Sequence, residues 1–239
     1  MNGKSMKLIG SKIRKFILDI IFPIKCLSCK AEGYWICSRC LNKIRLYGYH
    51  LCPICELENR NGSVCGYCQD SSNLDGLMII FENNQLSRKM IHFVKYNFID
   101  DIFTYLKPKL SDYLNKNPNW RDFFVLVPVP LHRRRFLERG FNQSQIICDI
   151  ISETRGNKIN NKLLKKIKYN KHQVGLSADR RRSNIVDSFK VNLSATIDYD
   201  SRIIIVDDVY TTGSTMEECA KQLKMSGYKS VWGLVLIKS

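Results

Sequence analysis

The apolar positions of this chain follow two rhythms, one helical and one strand-like, separated by a stretch with neither. Over residues 6–22, Leu8, Ile9, Ile13, Phe16, Ile17, Ile20 and Ile21 recur at helical spacing, with basic residues on the other face. The pattern predicts a basic amphipathic helix in residues 1–23, stopped by Pro23. Such a helix lies on a membrane or on DNA, or packs its apolar face on its own protein. Residues 24–72 have no long period. From Leu74 onward, strand-like runs (LDGLMIIFEN, FFVLVPVP, residues 202–206 and SVWGLVLIK) alternate with helical ones (QLSRKMIHFVKY, IDDIFTYLKPKLSDYL, QSQIICDIISETR and residues 215–226, with Gly227 as C-cap). The alternation predicts an α/β domain on a parallel sheet over residues 73–239. Residues 157–190 interrupt it with a polar, strongly basic stretch that has a short apolar end at Phe189 to Val191.

Length and composition fit this division. The chain has 239 residues, enough for a large domain and a small module, with 44% apolar and 25% charged residues. Its charge is less ordinary: 38 Lys and Arg against 22 Asp and Glu give a net +16. That excess favours polyanions, whether nucleic acid, phosphorylated metabolites or an anionic membrane face. A Lys-, Asn- and Ile-rich composition alone is the plainer source of the same charge. No run of about 18 apolar residues suits a transmembrane helix. The Phe16–Phe22 stretch, interrupted by Asp19 and followed by no small-residue cleavage site, does not read as a signal peptide. A cytoplasmic location is therefore expected.

The cysteines change the picture of residues 24–72. They fall as four CxxC pairs: Cys26 and Cys29, Cys37 and Cys40, Cys52 and Cys55, Cys65 and Cys68. Each pair brings two thiolates to one tight turn, and two pairs complete a tetrahedral four-cysteine site for Zn²⁺. Eight thiolates suffice for two zinc ions. With every position a cysteine, none is left for water, so the zinc is structural. A redox CxxC opens a helix in a βαβ unit, a context missing here. Sequential and interleaved pairings both satisfy the count. Cys148 and Cys219 fall in helical patterns and read as small buried residues.

The strand-like run Ile203–Val206 ends in Asp207 and Asp208, followed by the small-residue loop Thr211, Thr212, Gly213, Ser214 and Thr215 and then a helix. Two acceptor-only side chains beside the free N–H groups of a helix start suit a diol and a phosphate together, which means a phosphorylated ribose. Ser214 with Glu217 three residues on reads as a capping box. A second strand ends in prolines and leads into a loop with His132, Arg133, Arg134, Arg135 and Arg139, whose guanidinium groups suit a pyrophosphate. Residues 172–191 are placed to close over a ligand as a lid.

The Asp-Asp, two residues, Thr-Thr-Gly-Ser-Thr pattern resembles the PRPP-binding motif of type I phosphoribosyltransferases. Together with the CxxC pairs, His92-Phe93-Val94-Lys95-Tyr96, Arg139-Gly140-Phe141-Asn142-Gln143, Gln173 with Leu176, and Arg180 with Asn184, the chain resembles the ComF family, which takes in ComFC- and GntX-type proteins. The resemblance implies a type I phosphoribosyltransferase fold behind a zinc-ribbon module. It implies that Asp207 and Asp208 hold the ribose hydroxyls and that Thr211 to Thr215 hold the 5′-phosphate. It further implies that Leu131, His132, Arg133, Arg135 and Arg139 face Mg²⁺–pyrophosphate, with Gln173 and Arg180 in the lid. The reaction implied is pentosyl transfer from PRPP. The family role implied is natural competence, with single-stranded DNA and a helicase of the ComFA type as partners. A metabolic or amidophosphoribosyltransferase-like enzyme and a catalytically silent PRPP-sensing adaptor are the alternatives. The module's aromatic residues Tyr34, Trp35, Tyr47, Tyr49 and Tyr67 either stack bases or form its core.

Overall fold

The aliphatic runs pair into one sheet. The computed structural model describes residues 23–47, 50–59, 61–97, 102–117, 124–169 and 185–239. The helix expected in residues 1–23 and the lid residues Gln173 and Arg180 lie outside the described residues, as do Tyr49, Leu176 and Asn184. The chain divides into two compact units, Met1–Ile44 and Arg45–Ser239. The first contains the short helix α1 (Ser38–Leu41) and the first four cysteines of the CxxC pairs.

The second unit opens with the small antiparallel pair β1 (His50–Leu51) and β2 (Glu58–Asn59), then β3 (Gly76–Ile79), α2 (Gln85–Asn97) and α3 (Ile102–Lys116). It continues through β4 (Phe124–Pro128), α4 (Arg133–Arg139), α5 (Gln143–Arg155), β5 (Lys158–Ile159), β6 (Leu164–Lys166) and β7 (Phe189–Val191). β8 (Arg202–Tyr210), α6 (Ser214–Met225) and β9 (Ser230–Lys238) close it. The central sheet has the order β3-β9-β8-β4-β5, and every pairing in it is parallel. The expected α/β class with an N-terminal cysteine-rich module is thus borne out.

A parallel sheet is covered on both faces, which is why its strands are continuous aliphatic runs rather than alternating ones. Ile203, Ile205 and Val235 share one cluster with Cys219, Ala220 and Leu223 of α6. Ile204 and Val206, of opposite parity, are also buried. Each such side chain contributes roughly 2 kcal/mol by leaving water.

Three expectations are corrected. β8 does not end at Val206 but runs through both aspartates to Tyr210, because β9 continues the ladder from Asp207↔Val235 to Tyr210↔Lys238. Residues 157–190 are not merely polar: β6 and β7 pair antiparallel, and Leu163, Leu164 and Phe189 enter the core. The arginine run is a helix rather than a loop: the His132 imidazole accepts the Arg134 N–H at 3.3 Å, and Gly140 ends α4 at φ 82°.

β3 is an edge strand, and its outer edge is covered by residues that flank the second pair of CxxC turns. The Leu77 N–H donates to the Gly62 carbonyl at 2.8 Å and the Tyr47 N–H to the Ile80 carbonyl at 2.8 Å. Covering an open edge in this way removes a template for unwanted pairing. Gly76 is required at this crossing, since a Cβ there would strike the Trp232 ring and the Gly62 carbonyl. The 50–68 segment is therefore built onto the sheet rather than tethered beside it.

Candidate functional site

The cysteines group sequentially. Cys26, Cys29, Cys37 and Cys40 form one cluster and Cys52, Cys55, Cys65 and Cys68 another, with all four sulfurs of each within 4.8 Å of one another. The two sites are built alike. In each first turn an N–H closes on the leading cysteine's carbonyl at 3.0 Å, Lys30 on Cys26 and Glu56 on Cys52, and both donors take positive φ, 66° and 61°. In each second turn Cys37 and Cys65 have φ −72° and ψ 158°, and the third residue on donates back to them.

The donor sets fit zinc. Cys29 and Cys37 sulfurs lie 3.6 Å apart, as do those of Cys55 and Cys65. A tetrahedron with Zn–S near 2.3 Å has edges of about 3.8 Å. Backbone donors favour the thiolate at Cys29 and Cys52. The Ala31 N–H, followed by neighbouring thiols, lowers Cys29 to about 6. Burial acts to raise Cys52, but the N–H groups of Cys55, Cys65 and Ile54 bring it down to about 6.

The acidic pair sits at the C-terminal end of β8, beyond the last β4 partner at Pro128↔Val206. The two aspartates find different partners. Asp207 accepts the Ser144 hydroxyl at 3.0 Å from the first turn of α5 and its neighbour's N–H at 2.9 Å. Asp208 is 3% exposed and pairs with Lys95 of α2 at 3.0 Å. Its Oδ2 is buried and has no hydrogen-bond partner among the described residues. Burial first, and then the Asp208 charge, push Asp207 up to about 6 against the pull of Lys95. Lys95 is raised: burial opposes its charge, but Asp208 and Asp207 outweigh it.

The 211–215 loop follows directly. The first intrahelical bond of α6 runs from the Glu217 N–H to the Gly213 carbonyl at 2.9 Å, which leaves the N–H groups of Ser214, Thr215 and Met216 without intrahelical acceptors. Asp207, Thr211, Gly213, Ser214 and Thr215 line one small hollow. Gly213 has φ +73°, and a Cβ there would run into the Tyr210 hydroxyl. The expected capping box is not formed. Gly213 occupies the N-cap, Ser214 is the first helical residue with its hydroxyl 2.7 Å from that of Thr212, and Glu217 is bonded elsewhere. Free amides, hydroxyls and a glycine without a Cβ make this a fitting cradle for a phosphate.

The remaining expected residues lie on the turn after β4 and on α4. Leu131 and His132 are half-buried on the turn after β4, Arg133 is exposed, and Arg135 is half-buried on α4. Arg139 donates to Gln143 at 2.6 Å at the start of α5. Lys95, Ser144 and Lys166 stand near Asp207 and Asp208 with no local sequence pattern that marks them as site residues. Burial lowers Lys166, with the Arg135 charge adding to it and Asp207 partly offsetting it. Of the module's aromatics, Tyr67 is fully exposed and Tyr47 packs against the sheet core.

Residues 17–69 match the double zinc ribbon domain. The chain is 28% identical over 224 residues to competence protein F of Haemophilus influenzae, covering 89% of this chain and 97% of that one. It is 29% identical over 218 residues to DNA utilization protein YhgH of Salmonella typhimurium, 87% of this chain and 94% of that one. It is 27% identical over 216 residues to competence protein ComFC of Bacillus subtilis, 85% of this chain and 84% of that one. The chain is a homologue of these competence and DNA utilization proteins, with a double zinc ribbon at its N-terminal end.

Proposed function

We propose that this chain is a PRPP-binding, phosphoribosyltransferase-like protein that acts in competence or DNA utilization. One observation carries the ligand assignment: Asp207 and the 211–215 phosphate cradle line the same hollow at the C-terminal edge of a parallel sheet. Ligands of open α/β sheets bind at that edge. The names of the homologues supply the biological setting.

In this reading Thr211 to Thr215 receive the 5′-phosphate, and Asp207 and Asp208 receive the ribose hydroxyls. Leu131, His132, Arg133, Arg135 and Arg139 face the pyrophosphate. Mg²⁺, when bound with PRPP, supplies further charge neutralisation to the leaving pyrophosphate. The chain's own contribution to pentosyl transfer is positional and electrostatic. Its guanidinium groups stabilise negative charge, the acidic pair keeps negative potential near C1, and residues 172–191, with Gln173 and Arg180, exclude water. The net +16 charge favours direct contact with single-stranded DNA through its phosphates.

Calorimetry of the full chain with Mg²⁺–PRPP tests the assignment. Saturable binding that disappears in an Asp207→Asn/Asp208→Asn double variant is expected, with the zinc content unchanged. Equal affinity in the double variant would overturn it. Transformation assays with the same variant test whether the ligand site serves DNA uptake. A wild-type transformation frequency would separate the two activities.

A further inference from the structure

Glu217 is placed to do something its sequence context does not suggest. It lies in the first turn of α6, and its own N–H makes that helix's first bond, to Gly213 of the cradle. Its carboxylate is turned away from the cradle and accepts from the Ser72 hydroxyl at 2.7 Å, the Asn73 N–H at 2.8 Å and the Asn73 amide at 3.3 Å. Ser72 and Asn73 follow a 3-10 turn, Gly66–Ser71, that contains the zinc ligand Cys68. The same strap then grips the other end of α6. The Asp75 carboxylate pairs with Lys224 at 2.8 Å and accepts the Val231 N–H at 2.6 Å, while Leu74 is buried between them in the chain. On its far side the strap is bonded to the ribbon, through the Val64 N–H to the Asp75 carbonyl at 2.9 Å. Both ends of the cradle helix are thus fastened to one short segment leaving the second four-cysteine site.

We propose that Glu217 is a positioning residue through which the second zinc site (Cys52, Cys55, Cys65, Cys68) holds the 211–215 cradle in its anion-binding form. The physical reason is the number of backbone groups at stake. A cradle made of free amides binds an anion only while those amides converge. Glu217 fixes the helix start by anchoring it to a segment that the zinc site itself orders. The two metal sites are then not equivalent. The first belongs to the Met1–Ile44 unit, whereas the second shares a unit with the cradle. This deepens the ligand reading above and rests on it for the affinity measurement, but not for the measurement in the free protein.

The test uses the full chain and two readouts. In ligand-free protein, hydrogen exchange of the 211–217 amides should accelerate in Glu217→Ala, Ser72→Ala and Cys65→Ser, and remain at wild-type rates in Cys37→Ser. In the presence of Mg²⁺–PRPP or inorganic phosphate, affinity should fall on the order of tenfold in the same three variants and stay within about twofold in Cys37→Ser. Glu217→Gln keeps the reach and one acceptor oxygen, and Glu217→Asp keeps only the charge at the helix start. Rescue by Gln and not by Asp supports positioning. Rescue by Asp and not by Gln would show a helix-dipole effect alone and overturn the proposal. Equal exchange rates in Cys65→Ser and wild type, with one zinc lost, would also overturn it. If wild type binds neither probe while exchange follows the expected order, the ligand reading fails and the coupling stands.

Discussion

The Lys95 ammonium and the Asp208 carboxylate meet at 3.0 Å between α2 and the C-terminal end of β8, with Asp208 3% exposed. This contact lets two adjacent carboxylates share one sheet edge. Asp208 uses one oxygen for Lys95 and keeps the other free of protein donors among the described residues. Asp207 carries the cost of the arrangement, with its carboxyl pushed up to about 6 by burial and by its neighbour.

Removing the lysine leaves a buried charge without its partner. Lys95→Met should lower stability at pH 8 by on the order of 3 kcal/mol, read from urea unfolding. The sign of the pH dependence follows from the raised folded pKa of Lys95. Its contribution is fully present below the ordinary value of 10.5 and is lost as pH rises through the higher folded value. Wild type and variant should therefore differ most near neutrality and converge in strong alkali. A difference that grows with pH beyond that range would count against the ion pair.

Asp207 is shifted in the same direction, but in a lower pH range. Its folded pKa, raised from 3.8 to about 6, means the protonated form is favoured in the folded state. Its contribution to stability is fully present below 3.8 and lost as pH rises through about 6. A diol requires an ionised acceptor, so PRPP affinity should rise as pH passes from 5 to about 7. Asp207→Asn should abolish that rise and, at pH 8, melt a few degrees above wild type. Calorimetry and thermal unfolding over this range read both. Tight, pH-independent binding would remove Asp207 from the site.

Zinc analysis of purified protein should give two ions per chain. Cys55→Ser and Cys29→Ser should each leave one, because the cysteines group sequentially and share no ligand. The Cys29→Ser/Cys37→Ser double variant should also leave one ion, whereas an interleaved arrangement would lose both, since those two cysteines would then serve different sites. Removing a structural zinc removes folding energy outright. Chelation should therefore unfold the 23–44 ribbon, whose own polar links are short turns such as the Cys26 N–H to the Ala31 carbonyl.

Much of this arrangement was legible in the chain. Four CxxC pairs announced two four-cysteine sites, and the aliphatic runs announced the parallel sheet, because burial on both faces leaves continuous apolar strands. What the sequence hid was decided by partners distant along the chain. Asp is a poor strand former, so β8 reads as ending at Val206. The β9 ladder carries it on to Tyr210. Ser214 and Glu217 have the spacing of a capping box, but Gly213 takes the cap and Ser72 and Asn73 claim the glutamate. α4 has no buried residue, so its arginine-rich helix has no apolar period to betray it. Lys95 lies in a recognisable stretch, yet nothing local marks it as the partner of Asp208.

Gly213 gives the most direct test of the cradle. It sits at φ +73°, where a side chain is strained, and a Cβ would also collide with the Tyr210 hydroxyl and ring. Gly213→Ala should therefore cost about 1–2 kcal/mol of stability and weaken phosphate binding more than that figure alone implies. The added methyl would push the loop off Tyr210, whose strand position is fixed by the ladder to Lys238. Tyr210→Phe in the same chain removes the nearest clashing atom but leaves the ring and the positive φ. The double variant should regain part of the lost affinity and little of the lost stability. Isothermal titration with inorganic phosphate and urea unfolding of the four proteins separate the two costs. Full recovery of both in the double variant would place the whole cost in the hydroxyl collision and none in the backbone. No change in affinity in Gly213→Ala would mean that the anion does not use this loop.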